Sequence, residues 1–269
     1  MEAYKIIFLG TGANGGIPEI GCDCYVCRLA KNNLFERRFR SSIAIKDNNH
    51  FIIFDCGPDI RQQMINNDID AEKIKAIFIT HTHYDHIGGL LEFCMGKRIP
   101  IKIYTDMKII NWLIRRFETI DKILVFHSIS NYSKLKVTEN IYVSSFYVPH
   151  TSEYFGPTLG YEILVRKDTN YKRIVYIPDF KEYTNEILDV LSKADIAIID
   201  GTFFDKKLYN HVSILEGVKY LKNLHNLTKV FFIHINHTEG THRELVTKLL
   251  MTSNSNKFNI AYDSLIFNI

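Results

Sequence analysis

Long apolar runs are missing from this sequence. The apolar stretches near residues 6–9 and 231–233 are far shorter than the roughly 18 residues that cross a bilayer. The first residues, MEAYKIIFLG, also lack the apolar core and the small-residue cleavage site of a secretory signal. We therefore expect a cytoplasmic protein with no membrane partner.

A block of charge of one sign is missing as well. The 33 Lys and Arg residues are mixed with 30 Asp and Glu residues, and the formal net charge is +3. The densest basic cluster, ERRFR, contains Arg37, Arg38 and Arg40, which we interpret as a solvated face. A nucleic-acid partner is not expected, since binding to phosphate backbones needs a concentrated positive surface.

The sequence also contains no internal repeat, low-complexity segment or linker rich in Pro, Gly and Ser. Apolar residues make up 46% of the chain, which is ample for a large core. Short strand-like runs alternate with helix-like stretches, and this mixture indicates a layered α/β fold. We predict a single domain over residues 1–269.

The strand-like runs include YKIIFLG, KAIFIT, RIVYI, IAIID and VFFIHI, and two further pairs of runs meet across Asp47–Asn49 and across Asp263–Ser264. The helix-like stretches cover residues 59–67, 86–96, 106–117, 184–192, 212–223 and 241–251. Capping boxes start the last two stretches, Ser213 with Glu216 and Thr241 with Glu244.

Gly10, Gly12 and Gly15 form the spacing G-x-G-x-x-G directly after the first strand-like run. A dinucleotide site needs the last glycine of this motif to open a helix, whose amide groups bind the pyrophosphate. Two more glycines and Pro18 follow closely and prevent such a helix. The glycines therefore indicate a loop with close backbone contacts.

Three of the five cysteines, Cys22, Cys24 and Cys27, lie close together. Such a cluster is a poor disulfide framework for a long chain and is typical of a metal site. We predict a zinc knuckle at about residues 21–28.

Three thiolates leave a tetrahedral zinc ion one ligand short. Cys56, Cys94 or a distant histidine could supply the fourth ligand. His237 is one candidate, because it follows His234 by three residues and lies just beyond the same strand-like run.

The segment ITHTHYDHIGGL directly follows an apolar run and places His81, His83, Asp85 and His86 at a predicted strand-to-helix corner. Residues two apart can converge on one ion where a strand ends. Neighbours such as Asp85 and His86 diverge and suit a second ion. Four potential ligands this close together therefore predict a metal site.

Three more candidate ligands, His150, Asp179 and His234, end later strand-like runs. Together with the first four they supply imidazoles for two ions and a carboxylate that could bridge them. Positions would remain open for water and substrate, as a hydrolytic site requires.

With its residues in this order, the chain resembles the metallo-β-lactamase superfamily, whose signature is His-x-His-x-Asp-His. The resemblance implies an αββα sandwich, in which two mixed sheets pack face to face with helices outside and metal ions at one edge. It also implies two sets of ligands bridged by Asp179. The first set is His81, His83 and His150, and the second is Asp85, His86 and His234.

Two branches of the superfamily combine the N-terminal glycine pattern with clustered cysteines. GTGANGGIPEIGCDCYVC, YNHVSI and HINH resemble the phosphoribosyl cyclic phosphodiesterase branch. This resemblance implies a structural zinc site and an added active-site residue, His211; the zinc ligands would be Cys22, Cys24, Cys27 and His237. SSIAI, GPDIRQQM and DGTFF are more similar to the pyrroloquinoline quinone biosynthesis B branch, which generally departs from the intact signature that this chain retains.

The leading hypothesis is hydrolysis of a small phosphodiester, cyclic or open, at two divalent ions. The ions would be zinc or manganese, with iron as an alternative, and a further zinc ion would be structural. The predicted catalytic residues are Asp85, Asp179 and His211. His211 precedes the Ser213 helix cap by two residues, on a loop where it could bind phosphate or protonate the leaving oxygen.

Two other hypotheses stay open. One is an iron-dependent oxidation in quinone-cofactor or peptide maturation, as resemblance to the biosynthesis B branch implies. The other is a non-catalytic carrier, against which the presence of all seven active-site ligands argues. The expected partner is a small-molecule phosphodiester, and a homodimer is left open.

Overall fold

The computed structural model describes residues 4–95, 98–151, 156–206, 208 and 210–269. Within these residues the chain forms two seven-stranded sheets and seven α-helices. The strands are β1 Lys5–Gly10, β2 Ser42–Asp47, β3 His50–Phe54, β4 Ile74–Phe78, β5 Lys102–Thr105, β6 Val125–Ser128, β7 Lys134–Lys136, β8 Ile141–Val148, β9 Thr158–Lys167, β10 Asn170–Ile177, β11 Ile196–Asp200, β12 Lys229–Ile233, β13 Phe258–Ile260 and β14 Ile266–Asn268. The helices are α1 Tyr25–Asn32, α2 Ile60–Asn66, α3 Tyr84–Ile87, α4 Met107–Arg116, α5 Asn185–Ser192, α6 Ile214–Leu221 and α7 His242–Ser253.

The first sheet has the strand order β14-β1-β2-β3-β4-β5-β6. Strands β14, β1, β2 and β3 pair antiparallel, whereas β3 to β6 pair in parallel. β2 and β3 form the hairpin expected across Asp47–Asn49, and its turn holds Asn48 at a φ of 53°. Asn tolerates this left-handed backbone better than most residues, which favours the turn at this position.

The second sheet has the strand order β13-β12-β11-β10-β9-β8-β7. Strands β7 to β10 pair antiparallel, and β10 to β13 pair in parallel. Parallel neighbours need a crossover connection, and here the crossovers contain α5, α6 and α7 in turn. The two predicted capping boxes, at the starts of α6 and α7, are both formed.

The two sheets pack face to face through alternate side chains of their strands. Phe54 stacks on Phe78 with ring centroids 5.1 Å apart, and both rings meet Tyr161 of the opposite sheet edge to face. Tyr161 is fully buried, and its hydroxyl donates to the Ile79 carbonyl at 2.7 Å. This bond satisfies the buried phenol and anchors the end of β4, where the site begins.

Helices cover the outer face of each sheet. Ile109 and Leu113 of α4 belong to the core on the outside of the first sheet, which α2 also covers. Ile187 of α5 and Leu245 of α7 belong to the core on the outside of the second sheet. This αββα arrangement confirms the predicted fold class.

The predicted helix over residues 86–96 is divided. α3 ends at Ile87, and a short 3-10 turn covers Leu90–Cys94. A Cβ atom at Gly89 would lie 2.2 Å from the Gly57 carbonyl oxygen. The backbone therefore passes against the Gly57 loop at this point instead of continuing the helix.

The sequence does not predict α1, β6 or β7. The N-cap of α1 is Cys24, whose Sγ accepts from the Cys27 amide at 3.4 Å. Helix starts are normally recognised by Ser, Thr, Asp or Asn at this position, so a thiol cap gives no familiar signal.

The two runs that meet across Asp263–Ser264 do not form a hairpin. β13 pairs with β12 in the second sheet, whereas β14 pairs with β1 in the first. Asp263 instead accepts from the Thr11 hydroxyl and from the Phe39 amide, both at 2.6 Å. These bonds attach the connection to the N-terminal loop and direct the chain into the other sheet.

The interpretation of the basic cluster as a solvated face is wrong for Arg38. Its side chain is 4% exposed and donates to the Thr11 hydroxyl at 2.7 Å and to the Ala261 carbonyl at 2.6 Å. These bonds satisfy the donors of a buried guanidinium, which lies against the connection between β13 and β14. In the described part of the chain, no α-helix has the length and apolar character of a membrane span.

Candidate metal centre

The carboxyl ends of strands from both sheets meet at one edge of the sandwich, as expected where parallel strands share a direction. The polar residues at or just after these ends are Asp55 after β3, His81 after β4, His150 after β8, Asp179 after β10, Asp200 in β11 and His234 after β12. All six are buried. The fold therefore brings together residues that are far apart in the sequence.

The first ligand group consists of His81, His83, His150 and Asp179, whose ligand atoms all lie within 4.8 Å of one another. Asp179 Oδ2 lies 3.5 Å from His81 Nε2 and 3.5 Å from His150 Nε2. His150 Nε2 lies 3.4 Å from His83 Nδ1. The four side chains thus point toward a common centre.

The second ligand group consists of Asp85, His86, His234 and again Asp179. Asp85 Oδ2 lies 3.1 Å from His86 Nε2 and 3.2 Å from His234 Nε2. Asp179 reaches the same histidines, with Oδ2 at 3.4 Å from His86 Nε2 and Oδ1 at 3.2 Å from His234 Nε2. The Asp179 carboxylate is therefore common to both groups.

These separations fit bound metal ions. Ligand atoms at about 2.0–2.1 Å from zinc, at tetrahedral angles, lie about 3.3–3.4 Å from one another. Among the described residues, no hydrogen-bond partner is found for the buried atoms His81 Nε2, His86 Nε2 and Asp179 Oδ1. Buried polar atoms rarely lack a partner unless water or an ion binds them. Imidazole and carboxylate together are also a donor set that divalent transition metals accept.

Asp55, which the sequence analysis does not identify, orients His86. Its Oδ2 lies 2.8 Å from His86 Nδ1 and accepts from the Tyr176 hydroxyl at 3.0 Å. The amide and hydroxyl of Thr80 both donate to Oδ1 at 2.9 Å. The carboxylate fixes the ring through Nδ1 and so leaves Nε2 for the ligand group.

Thr202 and Asp200 orient two further histidines. The Thr202 hydroxyl donates to Asp200 Oδ1 at 2.6 Å and lies 2.8 Å from His234 Nδ1. Because this hydroxyl gives its proton to Asp200, it accepts from His234 Nδ1, which leaves a lone pair on His234 Nε2. Asp200 Oδ2 lies 2.8 Å from His211 Nδ1.

The electrostatics favour the metal-binding forms of most of these side chains. His86 is the exception: burial lowers its pKa, but the charges of Asp85 and Asp55 outweigh this and raise it well above its usual value, so an ion would have to displace its proton. Burial and the charge of His86 hold the pKa of His81 well below its usual value, and burial also lowers the pKa of His150. Burial raises the pKa of Asp85 and Asp179, but the neighbouring histidine charges outweigh it and hold both well below their usual value. Neutral imidazoles and ionised carboxylates are the forms that coordinate a cation.

His211 lies beside both groups, with its ring centroid 5.1 Å from that of His150 and 5.3 Å from that of His234. Burial lowers its pKa, but the charge and hydrogen bond of Asp200 outweigh this and raise the pKa to about 9. Asp200 therefore favours the protonated form of His211. It lines a cavity of about 720 Å³ together with Asp85 and Asp179.

The predicted zinc knuckle is assembled with His237. The ligand atoms of all four residues, Cys22, Cys24, Cys27 and His237, lie within 4.8 Å of one another. His237 Nδ1 lies 3.5 Å from Cys22 Sγ and 3.5 Å from Cys24 Sγ. A nitrogen and a sulfur ligand of tetrahedral zinc lie about 3.6 Å apart, so this set also fits its ion.

The other two cysteines lie elsewhere. Cys56 is buried in the core outside the first sheet, and the Cys94 thiol donates to the Leu90 carbonyl at 3.8 Å. Of the candidates for the fourth position, only His237 therefore lies beside the cluster within the described residues.

Glu19 supports the cysteine cluster through His237. It pairs with His237 Nε2, which turns Nδ1 toward the thiols. Burial raises the pKa of Cys24, but hydrogen bonds with His237 and the Cys27 amide lower it to about 6. Burial and the neighbouring thiols raise the pKa of Cys27 to about 12, so zinc would have to displace its proton. A carboxylate behind the imidazole is typical of a zinc site.

The N-terminal loop connects the knuckle to the active-site strands. The Ala13 amide donates to the Ile235 carbonyl at 3.0 Å, and the Ile235 amide donates to the Thr11 carbonyl at 2.9 Å. A Cβ atom at Gly12 would lie 2.9 Å from Arg38 Cβ. The glycine therefore permits the close backbone approach that the sequence indicates, and the loop is fixed next to His234.

Known proteins share sequence and fold with this chain. Residues 50–235 match the family model described as "Beta-lactamase superfamily domain". The chain is 26% identical over 248 residues to an octanoyltransferase of Porphyromonas gingivalis, a match that covers 89% of the chain but only 47% of that protein. The chain thus spans about half the length of this relative. It is also 27% identical over 274 residues to coenzyme PQQ synthesis protein B of Acinetobacter baumannii, covering 87% of the chain and 89% of the relative.

Two solved structures share the fold over nearly the whole chain. Zn(2+)-bound PqqB from Methylobacterium extorquens has a TM-score of 0.84 at 22% identity, covering 98% of this chain and 100% of that one. A diphosphatase from the PhnP family has a TM-score of 0.81 at 24% identity, covering 99% of this chain and 97% of that one. At these identities the likeness establishes the fold.

Proposed function

The chain belongs to the beta-lactamase superfamily, and on that premise we propose that it is a metal-dependent hydrolase that cleaves a small phosphodiester. The observation that carries the proposal is the pairing of two ligand groups through Asp179 beside His211, which Asp200 holds on the same cavity. The likeness to a diphosphatase of the PhnP family supports phosphoryl chemistry.

Each side chain has a role in this proposal. His81, His83 and His150 hold one divalent ion, and a second set holds the other, with Asp179 common to both; the second set is Asp85, His86 and His234. Ions bound there would lower the pKa of a water molecule and offset charge on the phosphoryl oxygens. Cys22, Cys24, Cys27 and His237 hold a structural zinc ion that keeps the N-terminal loop in place.

His211 completes the reaction. Hydrolysis forms one P–O bond from water and breaks the P–O bond to the ester arm, whose oxygen then needs a proton. His211 binds Asp200 through Nδ1, so Nε2 is the nitrogen available to the cavity that the ring lines. We assign the proton donation to this atom, with Asp200 as the residue that positions it.

The proposal is tested with bis(p-nitrophenyl) phosphate and metal analysis of the same preparation. We expect p-nitrophenolate release in the presence of zinc or manganese, complete loss of release after chelation, and recovery when the metal is returned. Metal analysis should give two exchangeable ions and one tightly held zinc per chain. A folded protein that holds only the cysteine-bound zinc and releases no product would contradict the proposal.

Removal of His211 separates proton donation from metal binding. In His211→Ala we expect kcat on a diester with an alkyl leaving group to fall about 10²- to 10⁴-fold, the range for a lost general acid, with the metal content unchanged. The loss on bis(p-nitrophenyl) phosphate should be much smaller, because p-nitrophenolate leaves without a proton. His225→Ala is the matched control, because His225 is exposed and lies on the turn that follows α6. A His211→Ala enzyme with the activity of the control would remove His211 from the mechanism.

A second function is favoured by one observation, the likeness to PqqB in fold and to coenzyme PQQ synthesis protein B in sequence. In that case the same ligand groups would hold iron and support an oxidation in cofactor or peptide maturation. Iron retained after aerobic purification and oxygen consumed with a tyrosine-containing peptide would favour this alternative over hydrolysis. A cytoplasmic location and a homodimer stay predictions.

A further inference from the structure

The cavity beside the ligand groups is larger than a phosphate needs. Its volume of about 720 Å³ lies within the range of small-molecule sites, whereas a phosphodiester group occupies a small part of such a space. The remaining volume is available to the ester arms of a substrate. The residues that line the cavity should therefore indicate which chemical groups the ester arms carry.

The rim of this cavity is aromatic and apolar. Tyr84, Phe203 and Leu208 line it next to the polar ligand groups. Tyr84 is 66% exposed and Leu208 is 47% exposed. Large apolar side chains that share one cavity and remain accessible are typical of a ligand-binding surface.

The Tyr84 ring is held against the backbone of its own helix. A Cβ atom at Gly88 would lie 2.6 Å from Tyr84 Cε2, so the ring occupies the space that any larger residue at position 88 would need. The Gly88 amide also donates to the Tyr84 carbonyl at 2.7 Å. In the described part of the chain, no second aromatic ring packs on Tyr84. Within this part of the chain, the exposed ring is therefore open to a ligand.

Phe203 and Leu208 lie on the loop that carries His211. The Ile214 amide donates to the Phe203 carbonyl at 2.9 Å, and the His211 amide donates to the Leu208 carbonyl at 3.0 Å. The ring centroids of Phe203 and His211 lie 6.5 Å apart. The apolar rim is therefore fixed close to the atom to which we assign proton donation.

We propose that Tyr84 and Phe203 bind a planar ring on the ester arm that stays on phosphorus, so that the substrate is an aryl or nucleoside phosphodiester and not a small aliphatic one. This inference rests on the proposed phosphodiesterase function. Asn14 and Asn236 line the same cavity, and their carboxamides can bind the heteroatoms of a nucleobase. Asn236 Oδ1 already accepts from the Thr238 amide at 3.0 Å, which leaves its amide nitrogen for a ligand.

Three phosphodiesters test the proposal. All have p-nitrophenol as the leaving group, and they differ in the second ester arm, which is a methyl group, a phenyl group or thymidine joined through its 5′ oxygen. Stacking of one ring should raise kcat/KM about 5- to 150-fold over the methyl ester, equivalent to about 1–3 kcal/mol. Tyr84→Ala should lower the ratio of kcat/KM on the phenyl ester to that on the methyl ester toward one, and Tyr84→Phe should keep the wild-type ratio. The matched control is Tyr171→Ala, whose tyrosine is 45% exposed near the amino end of β10.

The two ring sources are distinguished by the same series. Equal rates on the phenyl and thymidine esters would assign the site to a planar ring in general, and a further gain on the thymidine ester would assign it to a nucleobase. Equal rates on all three esters in the wild type, or a preference that Tyr84→Ala retains, would overturn the inference.

A binding measurement keeps this inference separate from the proposed function. Diphenyl phosphate and diethyl phosphate are titrated calorimetrically into metal-loaded wild type and Tyr84→Ala. Tighter binding of the diphenyl ester that is lost in the variant would support the ring site even if no diester were hydrolysed. If no p-nitrophenolate is released and the two phosphates bind equally, the proposed function and the inference both fail.

Discussion

Asp179→Asn is expected to lower kcat/KM on a phosphodiester about 10³-fold or more, since two-metal catalysis supplies several kcal/mol at 1.36 kcal/mol per tenfold. The reason is that this carboxylate serves both ligand groups. The Nε2 atoms of His81 and His150 lie 3.5 Å from its Oδ2, and His234 Nε2 lies 3.2 Å from its Oδ1. An amide of the same size removes the charge and turns a donor toward the imidazoles.

Metal content and activity should therefore fall together in this variant. Metal analysis and bis(p-nitrophenyl) phosphate turnover are measured on the same sample, and circular dichroism checks that the sandwich has folded. Asp189→Asn is the control for loss of a carboxylate, because Asp189 is exposed on α5 and its side chain forms a surface i,i+4 pair with Lys193. If Asp179→Asn kept both ions and near-normal turnover, the shared carboxylate would have no catalytic role.

Cys24→Ser should remove one zinc ion per chain and lower the melting temperature by about 6–12 °C, which corresponds to roughly 3 kcal/mol in a chain of this size. Serine is a good N-cap, so the substitution keeps the cap of α1 and removes the thiolate. The change in stability should therefore report on the zinc ion and not on the helix start.

The same variant should also weaken metal binding in the active site. His237 follows His234 by three residues. Ile235, which lies between these two histidines, is hydrogen-bonded to the N-terminal loop that leads to the knuckle. Chelator competition measures this effect, with Cys94→Ser as the control for a thiol outside the cluster. If Cys24→Ser retained three ions per chain and an unchanged melting temperature, the cysteine cluster would not be a structural zinc site.

The candidate active-site residues can be predicted from the sequence because they lie at the ends of apolar, strand-like runs. His81, His150 and Asp179 each follow an apolar run, and parallel strands bring such positions to one edge of a sheet. An apolar run does not show which residues of one sheet face which residues of the other. The convergence of the ligands on Asp179 could therefore be predicted only from the family resemblance, and it is seen directly only in the fold.

Asp55 and Asp200 show that the position of an aspartate after an apolar run does not reveal its role. Each ends or follows an apolar run in the same way as Asp179, so the same signal is present for all three. Asp55 nevertheless faces His86 Nδ1, and Asp200 faces His211 Nδ1, so both lie behind the histidines. The difference between a ligand and its support is set by long-range packing, which local periodicity does not encode.

The pairing of the C-terminal strands is not evident from the sequence, for a related reason. A turn signal at Asp263–Ser264 between two apolar runs favours a hairpin. The outcome is decided instead by Asp263, whose partners Thr11 and Phe39 lie more than two hundred positions away in the sequence. Rules based on local sequence favour pairing between neighbouring strands. Here a polar contact between residues far apart in the sequence prevents that pairing.

That contact has a consequence for biosynthesis. Thr11 and Asp263 are separated by 252 positions, and β1 gains its second neighbour only when β14 has been made. At about 5–20 residues per second, a ribosome needs on the order of ten to fifty seconds to travel between these strands. All the candidate ligand residues precede β14 in the sequence. They are therefore synthesised while the first sheet still has an open edge at β1.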